Sequence, residues 1–162
     1  IGYLVAQTLG ALAAWSVLSV YANGTAVTSS LGSSAAIFKA TAVTSGKEWY
    51  VLFAEIIGAA ILAFGLAAAL KVRKNREPAI NGALAYGFAL YAAMFITYII
   101  LSPLGTGLVF FNPAIAFAAS AVSFKLWPIA IYIIAPIIGG VLGFVVQDVL
   151  HSQIEISVKE EK

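Results

Sequence analysis

The triplet Asn112-Pro113-Ala114 heads an apolar segment ending near Phe124, about a dozen residues, whereas a helix crossing a bilayer needs roughly 20. Asn112 suits an N-cap, because its side-chain oxygen accepts from the first free backbone N–H groups. Pro113 suits the first helical position, where a missing N–H leaves nothing unsatisfied. The segment therefore predicts a half-helix over 113–124 that enters a membrane without crossing it, its positive dipole end inside. Irregular backbone at such depth persists only where protein buries it or a watery cavity bathes it, so residues 105–112 imply a pore or pocket. The rest of the chain has to supply the wall.

A wall is available. Hydrophobic residues make up 62% of the chain and charged residues 10%, with a mean hydropathy of +0.99, values that exclude an ordinary soluble domain. Four runs are long and apolar enough to span: about 2–21, 49–70, 80–101 and 127–150. Residues 22–47 between the first two are rich in Ser, Thr, Gly and Ala and read as a long outer loop. Trp49, Tyr50 and Trp127 stand where amphipathic rings mark an interface. Lys71, Arg73, Lys74 and Arg76 crowd the connection after the second run, so loop 71–79 and the tail from His151 are expected on the cytoplasmic side of a cell membrane. Topology accounts for these charges, and a net charge of +2 points to no nucleic-acid partner. Zero cysteines exclude disulfides and thiol chemistry. No metal-ligand cluster, nucleophile–base pair or phosphate-binding loop stands in the sequence, so neither an enzyme nor a cofactor is expected. The chain opens on Ile1 without a basic leader, which reads as a product lacking upstream sequence.

Two features bear on packing. Ala6 and Gly10 in the first run match Ala135 and Gly139 in the fourth, small residues four apart on faces that let helices approach closely in lipid. With a re-entrant half-helix, this hints at a duplicated, inverted fold. Glu55 is the acid lying well inside a run, so it must find donors within the protein. Gln7 and Gln147 read as packing hydrogen-bonders, and His151 as a solvent-exposed residue past the last run.

The chain resembles the aquaporins and aquaglyceroporins of the major intrinsic protein family. Tyr3-Leu-Val-Ala-Gln7-Thr-Leu-Gly10-Ala11 is similar to that family's third helix and Glu55-Ile-Ile-Gly58 to its fourth. Asn81-Gly82 through Tyr98 is similar to the fifth, Thr106-Gly107 with Asn112-Pro113-Ala114 to the fifth loop, and Trp127 with Pro136-Ile-Ile-Gly139-Gly140 to the sixth. The resemblance implies an all-α membrane fold of six spans and two half-helices, of which this chain carries four spans and one half-helix. Helices one and two would be missing. It further implies a homotetramer in the lipid bilayer, Asn112, Pro113 and Ala114 at the pore, and Glu55, with Gln7, supporting the re-entrant loop.

Where the family ordinarily follows the triplet with arginine, this chain has Ile115. Where water-selective members place a histidine on the fifth helix, Ile99 or Ile100 falls here, and Val109 is the loop's contribution. The resemblance thus implies an aliphatic constriction. The expected function is a passive channel for water or small neutral solutes such as glycerol or ammonia. Two alternatives stand beside it: half of a secondary transporter, whose coupling group would have to be Glu55, and a non-conducting membrane structural protein closed by dewetting.

Overall fold

The computed structural model describes residues 1–23, 43–75, 78–105 and 108–160. The expected outer loop over 22–47 falls largely outside them, as do Arg76, Thr106, Gly107 and the last two residues of the tail. Helix α1 runs Gly2–Asn23, α2 Glu48–Lys74, and α3 Ala79–Leu101, closing in a 3-10 turn Ser102–Leu104. The short helix α4 is Pro113–Ala118. A last continuous helix comprises α5, Leu126–Ile129, a π-helical stretch Ala130–Ile134, and α6, Ala135–Glu160. The π stretch precedes Pro136, which cannot donate to a carbonyl one turn back. There the Ala135 N–H bonds instead to the Ala130 carbonyl, five residues back.

The described residues contain no strand. Three helical stretches, Glu48–Val72, Ala79–Leu104 and Leu126–Gln153, are each long and apolar enough to cross a membrane. Large apolar side chains line their outer faces: on α3, Phe88 is 70% and Tyr91 68% exposed. Water would not tolerate so broad an apolar surface, whereas lipid does. This is an all-α membrane protein.

Helix α2 lies between α3 and the α5–α6 helix. Trp49 meets Trp127 edge to face, centroids 5.0 Å apart, and Lys71 Nζ lies 3.1 Å from Asp148 Oδ1 at the other end, so α2 and α5–α6 run parallel. Gly82 of α3 sits against Ala69 while Lys47 Nζ donates to the Leu104 carbonyl at 2.6 Å, so α3 runs antiparallel to α2. Small residues make the closeness possible. A Cβ on Gly139 would meet the Ile56 carbonyl and Ala59, and one on Gly143 the Ala60 carbonyl and Ala63.

The other copy of the small-residue pattern behaves differently. Gly10 has nothing within 4 Å of where a Cβ would stand. Helix α1 meets α4; its half-buried residues are Thr8, Ala11 and Trp15, and the other described side chains of the helix are exposed. Ala6-xxx-Gly10 therefore brings no helix close among the described residues; the half-buried positions of α1 lie elsewhere on it.

Candidate functional site

Asn112 is the N-cap of α4, in extended conformation, and its Oδ1 accepts the Ala114 N–H at 2.9 Å. Its carbonyl accepts from Ile115 and Ala116, both at 3.1 Å. Because Oδ1 is committed to the cap, the Nδ2 amide is the end left to donate. Asn112, Pro113 and Ala114 form one side of a cavity of about 360 Å³, and Leu4, Gln7 and Thr8 of α1 the other.

Helix α4 is shorter than the expected 113–124, ending at Ala118. Ser120 is left-handed, φ 58°. Its N–H bonds to the Phe117 carbonyl at 3.0 Å, and the Ala121 N–H reaches back to the Ala116 carbonyl at 2.9 Å. These paired bonds close a Schellman motif, usually built on glycine, which stops the helix after six residues. Fewer aligned peptide units stand behind Asn112 than a dozen-residue helix would bring, and the dipole at its N-terminus is correspondingly smaller.

The loop ahead of the cap is held from α2 and the π stretch. Glu55 is fully buried; its Oε1 accepts the Phe110 N–H at 2.6 Å and its Oε2 the Phe111 N–H at 2.9 Å. One carboxyl group thus satisfies two donors that the loop's irregular backbone leaves without a ladder. Tyr132 donates its hydroxyl to the Leu108 carbonyl at 3.2 Å and packs its ring edge to face on Phe110 at 5.4 Å. Phe111 has φ 53°, a conformation that costs a non-glycine residue roughly 1–2 kcal/mol. Its ring lies where a Cβ on residue 58 would stand, so Gly58 makes its seat. Seven residues into α2, Glu55 holds this loop about 10 Å along the helix from Glu48, inside the apolar stretch.

The remaining site residues divide. Ile100 and Val109 pack against one buried cluster of Val51, Ala54, Leu101, Ala116, Ile131 and Tyr132. Ile99 is 53% exposed and Ile115 41%. Gln7 lines the Asn112 cavity but is exposed, and no hydrogen bond joins it to the loop among the described residues. Its helix touches the half-helix, while Glu55 and Tyr132 hydrogen-bond the loop. Tyr132 and Gly58 are loop-holding residues whose role the sequence did not show: Gly58 stands in the Glu55-Ile-Ile-Gly58 motif, but nothing along the chain says that a phenylalanine 53 residues on would sit against it. The described residues hold no grouping of three or more His, Cys, Asp or Glu able to bind a metal.

Comparison with known proteins adds one finding. The family model described as major intrinsic protein matches residues 1–147. No curated protein matches the chain, and no solved structure does.

Proposed function

Because the chain belongs to the major intrinsic protein family, and so to channels for water or small solutes, we propose that it conducts small neutral solutes passively past Asn112, through a constriction without charge. The observation that carries this reading is the Asn112 side chain. Its oxygen is fixed by the Ala114 N–H and its face lines a cavity, so a permeating water or hydroxyl meets an amide donor of settled orientation. An ion finds nothing there to replace its hydration shell. Conduction requires protein around the whole cavity; the homotetramer in the cell membrane is carried over from the family resemblance, and the basic residues of loop 71–79 favour the cytoplasmic side for that loop and the tail.

The filter we assign is aliphatic: Ile115 one turn into α4, Val109 from the loop, and Ile100 or Ile99 from α3. An arginine at 115 would repel a cation by on the order of 4 kcal/mol at 4 Å for an effective dielectric near 20, and would offer donors to water. Isoleucine does neither. Modest water permeability and measurable passage of glycerol or ammonia should follow, checked by light scattering from proteoliposomes with the native protein and Ile115→Arg. The variant should pass water better and neutral solutes less well. Rapid water flow with every neutral solute excluded, unchanged in Ile115→Arg, would refute the aliphatic filter, and no flow of any solute would favour the structural-protein alternative. The transporter alternative meets an obstacle in Glu55, whose two oxygens are already occupied by Phe110 and Phe111.

A further inference from the structure

Away from Asn112, where α2 and α6 leave their apolar stretches side by side, lies a cavity of about 390 Å³. Its walls change character along the helices: Ala67, Leu70, Phe144 and Val145 are apolar, and Lys71, Lys74, Gln147 and Asp148 follow. The α2 span ends at this level, at Val72. Lys71 pairs with Asp148, whose side chain is 81% exposed. Such a surface pair is weak and exchanges readily. Lys74 forms no ion pair among the described residues, which leaves the cavity mouth with two cations against one anion.

Gln147 supplies an independent sign of a ligand. It is 8% exposed, and its Oε1 is buried without a hydrogen-bond donor. A buried carbonyl lacking a donor is uncommon and calls for a partner. Turning the amide about its last bond presents either its oxygen or its NH2 to the cavity, so it can accept from a hydroxyl or donate to an ester or phosphate oxygen.

We propose that this cavity binds an anionic glycerophospholipid whose headgroup carries hydroxyls. An acyl chain follows Ala67, Leu70, Phe144 and Val145, the phosphate lies between Lys71 and Lys74, and Gln147 hydrogen-bonds the headgroup. Phosphatidylglycerol has the required net charge and donors. Phosphatidylcholine has neither. The positive-inside rule explains why lysines stand at this end of α2, but not why they rim an apolar cavity that Gln147, with its buried oxygen lacking a donor, also lines, and a basic pocket between membrane helices is suited to an anionic headgroup. The inference rests on the membrane-spanning fold and not on the solute the channel carries.

Native mass spectrometry of the delipidated full-length protein tests it, titrating phosphatidylglycerol and phosphatidylcholine of identical chains. Phosphatidylglycerol should bind about tenfold more tightly. Lys74→Ala should weaken it about fivefold, the effect of one lysine at an anionic headgroup, while Lys74→Arg should retain it. Gln147→Leu should also weaken phosphatidylglycerol and leave phosphatidylcholine unchanged. Lys74 is exposed, so its substitution does not threaten folding. Glycerol 3-phosphate, which has the charge without the chains, should fail to compete. Equal binding of both lipids, a preference untouched by Lys74→Ala, or competition by glycerol 3-phosphate as effective as the lipid would each overturn the proposal.

Discussion

Glu55 shows what one residue can settle. An acid inside an apolar run announces that donors must be near, and that much is legible from position alone. Which donors is a tertiary matter: Phe110 and Phe111 follow it by 55 and 56 residues. Glu55→Gln puts an NH2 where one of those N–H groups needs an acceptor, and an unsatisfied buried donor costs roughly 1–3 kcal/mol. We expect a lower thermal unfolding temperature in detergent and reduced solute flux in proteoliposomes. An unchanged unfolding temperature would mean that the loop holds without the carboxyl group. Asn112 was readable as a cap from its place before Pro113, since an N-cap is a local device. The left-handed Phe111 was not, because nothing in a phenylalanine advertises a positive φ; the bonds from Glu55 and the seat on Gly58 impose it.

Among the elements, α4 departs furthest from its sequence. Ala114 to Ala119 contains good helix formers with no glycine or proline to stop them, so local propensity continues the helix where the chain ends it. Ser120 in the left-handed region closes the motif in glycine's stead. Ser120→Gly should relieve that conformation and stabilise the protein by roughly 0.5–1 kcal/mol, a rise in unfolding temperature of about 2 °C. Ser120→Val, which resists positive φ more strongly, should lower it. A fall with glycine would show that the serine makes a contact worth more than its strain. The long helices posed no such difficulty. The apolar core of each follows from an uninterrupted apolar run, although α6 continues past its run through the largely polar stretch from His151 to Glu160, and Pro136 shifts the bonding of that last helix without breaking it.

For the whole molecule, the two ends of the bundle carry opposite signatures: Trp49, Trp127 and Lys125 at one, Lys71, Lys74 and Asp148 at the other. The absence of cysteine makes sidedness directly testable. Asn75→Cys should react with an impermeant maleimide only from the cytoplasmic side and Ser123→Cys only from outside, both positions being exposed; labelling of both from one side would reject the orientation. Sequence alone determined the membrane environment, the helical class and the start of the short helix at Pro113, because these depend on run lengths, charge-free stretches and a local cap, quantities fixed along the chain. The family was legible in the same way, from motifs in order. Which of two similar small-residue faces is used was decided only in three dimensions. Gly139 is pressed onto α2 and Gly10 meets nothing among the described residues, since close packing depends on where the neighbouring helix lies, and spacing along one helix does not specify its partner.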